Sequence, residues 1–113
     1  MIRCKQGDVV LVAFVFSDGS GIKKRPALVI SNDSYNAKRE EIIIAAITSN
    51  TRRILYGDTK IVEWENAGLI KPSTVVAILQ TIKKAMVQRK LGNLSLSDFT
   101  STQKNIAKSL ALD

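Results

Sequence analysis

Two stretches carry side chains that could act on a phosphate. Lys23, Lys24 and Arg25 are consecutive cations that run into Pro26 and then into the apolar segment Ala27-Leu28-Val29-Ile30. Thr48, Ser49, Asn50 and Thr51 form a hydroxyl-rich cluster directly after the apolar run from Ile42 through Ile47. Guanidinium and ammonium groups offset negative charge, while hydroxyls and backbone amides donate to phosphoryl oxygens. Proline fixes its own φ and biases the residue before it towards an extended conformation, so the Arg25 guanidinium is expected at a defined point where a strand begins. Each stretch also has a plainer interpretation, the first as a solvated strand edge and the second as an ordinary turn after a β-branched residue.

What the chain lacks narrows the chemistry further. It has no histidine, the commonest acid-base residue and transition-metal ligand, and its single cysteine, Cys4, cannot form an intrachain disulfide. Cys4 is expected as a small residue at a strand edge, in a reducing compartment. A formal charge of +7 and a pI of ≈ 9.8 point to a polyanionic partner, with nucleic acid ahead of an anionic membrane surface. No stretch has transmembrane length, and the N-terminus lacks an uninterrupted secretory apolar region, so a soluble cytoplasmic protein is expected. With 113 residues, 45% of them hydrophobic, the whole chain 1–113 is expected to be one domain around one core.

The elements that must position these residues are mainly strands. After the Gly7-Asp8 turn signal, residues 9–16 form an apolar run rich in β-branched and aromatic residues, which predicts a central strand. Ser17-Asp18-Gly19-Ser20-Gly21 predicts a flexible loop delivering the chain to the basic cluster. Phe16 stands at its mouth, where the ring could stack on a base or close the end of the core. Residues 28–30 predict a buried strand ended by the turn Ser31-Asn32-Asp33, and residues 38–41 a solvated turn. Residues 42–47 show no alternation, so that strand is expected to be covered on both faces. Further strands are expected over 59–62, 74–79 and 87–91, with Trp64 as a core or subunit-contact anchor. Ser95 and Asp98 have capping-box spacing, Asp replacing the usual Glu, ahead of a helix on which Phe99, Ile106 and Leu110 share a face. Five or six short strands closed by one helix suggest a small, strongly curved sheet or barrel.

A series of motifs then occurs in order: Gly7-Asp8-Val9-Val10-Leu11-Val12, the segment 14–21, Lys24-Arg25-Pro26-Ala27-Leu28-Val29-Ile30-Ser31, Ala46-Ile47-Thr48-Ser49, Gly68-Leu69-Ile70-Lys71-Pro72-Ser73, and Gly92 with Leu94-Ser95. On these the chain resembles the MazF/PemK toxins of type II toxin-antitoxin pairs over nearly its whole length. The resemblance implies an SH3-like barrel of five to seven strands with a C-terminal α-helix, acting as a homodimer. It also implies a metal-independent, cofactor-free endoribonuclease that cuts single-stranded RNA and is restrained by a cognate antitoxin lying across the toxin dimer. The family's catalytic pair falls on Arg25 and Thr48. One departure is Val15, where many members carry a proline between two phenylalanines.

In such a reaction the ribose 2′-hydroxyl attacks the adjacent phosphorus in line, so the substrate supplies the nucleophile. Arg25 would offset charge on the phosphorane and donate towards the leaving oxygen, and Thr48 would donate to a second nonbridging oxygen. The base stays open between Asp18, water and a perturbed arginine. RNA contacts are expected from Phe16, Asp18, Ser20, Lys23 and Lys24 around the first loop, and from Ser31 and Asn32 at the end of the second strand. Ser49, Arg52 and Arg53 follow the third strand; Gln80 and Asn32 could pair with base edges, and Lys83 and Lys84 could extend the groove. Three alternatives stand beside this reading: a toxin of the same barrel that poisons DNA gyrase by contact, an RNA-binding barrel without catalysis, and a family member that has lost activity and persists as a regulator.

Overall fold

Runs of apolar, β-branched residues build one antiparallel sheet in the computed structural model, which describes residues 2–15 and 18–112. Its strands are β1 (Asp8–Val15), β2 (Ile22–Val29), β3 (Glu41–Thr48), β4 (Thr59–Lys60), β5 (Thr74–Lys83) and β6 (Val87–Asn93). They lie in the order β4-β5-β3-β2-β1-β6, every neighbouring pair antiparallel. A short helix, α1 (Asp33–Lys38), joins β2 to β3, and the chain ends in α2 (Leu96–Ser109). The mainly β fold with a C-terminal helix is thus as expected, with six strands.

Successive side chains point to opposite faces, and each face has its own buried cluster. Val10, Val12, Ala27, Val29, Ile42 and Ile44 pack with Cys4, Ile82 and Val87 on one side. Val9, Leu28, Ala45, Ile47 and Val75 pack on the other with Ile61, Ala67, Leu94 and Ile106, and Trp64 and Phe99 lie against them. The unbroken apolar run before Thr48 is therefore covered on both faces, as its pattern predicts. Helix α2 closes the second cluster through Ile106 and the half-buried Phe99, whereas Leu110 at its end is exposed.

Several local expectations need correction. The basic cluster does not precede its strand but lies within it, because β2 starts at Ile22 and pairs with β1 from Val15↔Ile22 through Leu11↔Pro26 to Val9↔Leu28. Pairing with β3 is shorter and covers only Ala27↔Ala46 to Val29↔Ile44. Pro26 explains the difference. The Ile30 amide donates to Ile43 O at 2.9 Å, and in an antiparallel ladder alternate residues turn both backbone groups to the same neighbour, so Leu28 and Pro26 also face β3. Proline has no N–H for that rung, and the ladder stops one residue before it.

Residues 33–38 form α1, a helix between the turns expected at Ser31-Asn32-Asp33 and at residues 38–41. Asn32 is its N-cap, accepting from the Tyr35 amide at 2.8 Å, and six residues are too few to show a helical period. The expected capping box of α2 is made in one direction only. The Asp98 amide donates to Ser95 Oγ at 3.1 Å, but the buried Asp98 carboxylate accepts from the Val62 and Glu63 amides at 3.1 and 2.9 Å. It ties the segment after β4 to the helix, and β4 ends at Lys60 instead of continuing to Val62. That segment then crosses β6 in backbone contact at Gly68, whose φ of +83° and lack of a Cβ allow it to lie against the Leu91 carbonyl.

Asp98→Ala should lower the unfolding free energy by about 2 kcal/mol, the scale of losing a buried charged acceptor that two backbone amides share. Urea denaturation checks this, and a change below about 0.5 kcal/mol would mean that the carboxylate does not hold the segment.

Candidate active site

Pairing between β2 and β3 runs out to Ala27 and Ala46, and a groove of ≈ 730 Å³ lies beyond it, where the two strands part. β2 contributes Lys23, Lys24, Arg25 and Pro26, and β3 contributes Ile44, Ala46, Ile47 and Thr48, followed by Ser49. From β5 come Val76, Ile78 and Gln80, from the segment before it Ile70 and Lys71, and from β1 Phe14. Continuing the β2–β3 register two residues past Ala27 and Ala46 sets Arg25 opposite Thr48. Both lie on the face that holds Ala27, Val29, Ile42 and Ile44, so the groove is the outward continuation of the first core.

Charge is distributed unevenly. Among the described residues, four cations line the groove, Lys23, Lys24, Arg25 and Lys71, and no carboxylate lines it. Elsewhere, among the described residues, three cations meet carboxylates: Lys83 meets Glu40 and Glu41 at 3.6 and 3.4 Å, Arg39 meets Glu41 at 3.0 Å, and Lys90 meets the buried Asp8 at 3.0 Å. The hydrogen bond from Arg39, and then that from Lys83, holds the Glu41 carboxyl below its ordinary range. A groove of this composition selects an anion. Thr48 Oγ1 accepts from the Asn50 amide at 3.1 Å, which leaves its own O–H proton free to donate outward.

The structure therefore brings together Arg25, Thr48, Lys23, Lys24, Ser49 and Gln80 from the residues that the sequence singles out. Arg52 lies beside them, in a shallow depression of ≈ 350 Å³ shared with Ser49, Asn50 and Thr51, while the exposed Arg53 lines neither. Ser31 and Asn32 are not brought to the groove. Ser31 is buried, with its hydroxyl donating to Asn36 Oδ1 and accepting from the Ile43 amide at 3.0 Å, and Asn32 caps α1. Lys83 is spent on its carboxylates and Lys84 donates to the Asn36 carbonyl, so neither extends the groove. Phe16 and Ser17 lie outside the described residues.

Asp18 and Ser20 form an exposed turn in which the Ser20 amide donates to Asp18 Oδ1 at 2.8 Å. Hydrogen bonds from the Ser20 side chain, then from its backbone, hold the Asp18 carboxyl below its ordinary value, which weakens it as a proton acceptor. Neither residue lines the groove. Sequence reasoning passed over Phe14, Ile70, Ile78 and Lys71. For Lys71 a signal existed, since Lys71-Pro72 repeats the cation-proline step of Arg25-Pro26.

Comparison with known proteins places the chain. The family described as PemK-like, MazF-like toxin of type II toxin-antitoxin system matches residues 5–110. Among solved structures, the chain is similar to the Mycobacterium tuberculosis toxin MazF-mt6, with 26% identity and a TM-score of 0.75 over 94% of this chain and 98% of that one. It shares its fold with a MazE-MazF structure from Deinococcus radiodurans, at 14% identity and a TM-score of 0.81 over 99% of this chain and 100% of that one. It likewise shares it with an endoribonuclease in complex with its cognate antitoxin from a mycobacterial species, at 16% identity and a TM-score of 0.79 over 97% of each chain. No curated protein matches the chain.

If Ser20 sets the Asp18 titration, the carboxyl should titrate below the ordinary value of about 3.9, and Ser20→Ala should move its midpoint upward. Carboxyl chemical shifts followed against pH check this, and an unmoved midpoint would remove Ser20 as the cause.

Proposed function

The chain belongs to the PemK-like, MazF-like toxins of type II toxin-antitoxin systems, and from that membership we propose that it is an endoribonuclease cleaving single-stranded RNA by internal transesterification, restrained by a cognate antitoxin. The observation that carries the reading is the groove that sets Arg25 opposite Thr48, with Lys23, Lys24 and Lys71 beside them and, among the described residues, no acid. We include in the proposal that the whole chain is one such domain, working as a homodimer in the cytoplasm. Among the described residues, no helix is long and apolar enough to cross a membrane.

In this mechanism the 2′-hydroxyl attacks the neighbouring phosphorus and the 5′-oxygen leaves, giving a 2′,3′-cyclic phosphate and a 5′-hydroxyl end. The Arg25 guanidinium, a planar fork of donors, meets the nonbridging oxygens as charge grows on the phosphorane and donates towards the departing oxygen. Thr48 donates its free proton to a second nonbridging oxygen. Lys23 and Lys24 hold the strand by charge, with Gln80 offering a donor and an acceptor to a base edge. Among the described residues, the groove's lining has no carboxylate, imidazole or thiol to hold a divalent ion, and metal independence is part of the proposal. Asp18, displaced from the groove and held acidic, is not assigned the base, and the proton goes to solvent. Because DNA lacks the attacking hydroxyl, selectivity for RNA follows from the reaction itself.

Purified protein incubated in EDTA with a mixed-sequence RNA should generate fragments with 2′,3′-cyclic phosphate and 5′-hydroxyl ends. Arg25→Ala should reduce the rate by about 10²-fold or more, and Thr48→Val, which keeps the shape and loses the donor, should act on the same scale. Intact RNA with folded wild type, or near-normal cleavage by a folded Arg25→Ala protein, would overturn the reading.

A further inference from the structure

The chain has two prolines, Pro26 and Pro72, each preceded by a cation, and both cations line the same groove. They reach it from different sides. Arg25 stands on β2 and Lys71 in the segment leading into β5, and β2 and β5 are the two neighbours of β3, whose last residue is Thr48. Lys71 is held at its backbone and free at its tip. Pro72 biases it towards an extended conformation, and Ser73 Oγ, on a buried residue, donates to the Lys71 carbonyl at 2.9 Å. Its side chain is exposed and, among the described residues, forms no ion pair. Beside it, Ile70 is 90% exposed and Ile78 63% exposed, apolar surface left open within a cationic groove. A base or ribose lying between two phosphates would cover that surface.

We propose that Lys71 binds a phosphate neighbouring the one held by Arg25 and Thr48, so that the strand crosses the end of β3 with one backbone charge on each side. This deepens the nuclease reading and rests on it. An ammonium on a flexible stem suits that task, since it attracts a phosphate as a point charge without the fork that a changing phosphorane requires. Lys71 is thus a strand-binding residue, and Arg25 the one that follows the reaction.

The test measures binding and cleavage separately. Affinity for a mixed-sequence 2′-O-methyl oligoribonucleotide, which has no nucleophile and stays uncut, is followed against salt for wild type, Lys71→Gln, Lys71→Arg and Lys104→Gln, the last an exposed lysine on α2. Losing one phosphate contact to a single strand should make the slope of log K against log salt shallower by about 0.7. Lys71→Gln should show that loss, with KM on cleavable RNA raised about fivefold and kcat within about twofold of wild type, and Lys71→Arg should recover both. Lys104→Gln should match wild type. A folded Lys71→Gln protein with unchanged slope and KM overturns the proposal, and so does a loss confined to kcat, which would put Lys71 in the chemistry. Wild type that binds the analogue with a steep salt slope but cuts no RNA overturns the nuclease reading alone, and the slope still decides for Lys71.

Discussion

The site depends on a hydrogen bond that Pro26 cannot make. Residues Ile30, Leu28 and Pro26 turn their backbone groups towards β3, and the ladder that starts at Ile30 and Ile43 stops at Ala27 and Ala46 because the next donor is missing. A backbone rung contributes about 0.5–1.5 kcal/mol net, a small loss for a sheet with several complete ladders. Its consequence is large. Beyond the break, β2 continues on β1 alone, and the groove lies over the unpaired stretch with Arg25 on one side and Thr48 on the other. An ordinary residue with an N–H at this position would permit the strands to zip further and bring Arg25 and Thr48 together as a cross-strand pair, leaving less room for a ligand.

Rigidity around that break comes from covering β3 on both faces. Ile42 and Ile44 enter one cluster and Ala45 and Ile47 the other, so Thr48 projects from a strand that has no freedom to turn. The same division keeps charge apart from the core. Four acidic residues are held in structural contacts: Asp98 on two amides, Asp8 on Lys90 and the Lys5 amide, Asp58 on the Leu55 and Ala77 amides, and Glu41 on Arg39 and Lys83. The groove receives cations without counter-charges, and their mutual repulsion favours the unliganded state less than a phosphate-bound one. Affinity for an anion is thus built in by withholding partners.

Much of this was legible in the sequence because it rests on apolar runs and composition. The apolar runs located the strands, Arg25 and Thr48 stood at the ends of two of them, and the charge pointed to a polyanion. What escaped was whatever depends on partners distant in the chain. Lys23 and Lys24 read as a solvated lead-in, yet β1 supplies a neighbour that draws them into β2. Ser31 looks like any turn serine until Ile43 and Asn36 close on it, and Asp98 has cap spacing but a carboxylate claimed by residues more than thirty positions earlier. Lys71 was missed because nothing local distinguishes it from other surface lysines except the proline that follows. Helix α1 is too short to carry a period at all.

The composition of the groove also constrains how catalysis can work on the proposed reading. Arg25, the lysines and Thr48 supply donors, and no side chain in the lining is a strong proton acceptor. Such a surface can do little for removal of the 2′ proton and a great deal for the charge that accumulates once attack begins. Donors fixed before the reaction need no reorganisation when that charge appears, and stabilisation of this kind is worth about 10²–10³ in rate for a single well-placed donor. The transition state then has most of its negative charge on the phosphorane rather than on an unassisted alkoxide, and the demand on a base falls accordingly. An acid beside Arg25 would pair with the guanidinium and quench the same field that makes the phosphorane accessible. A groove rich in donors, lacking among the described residues the carboxylate or histidine that a general base would require, is the arrangement in which an arginine, itself too basic to accept a proton, can still direct the reaction.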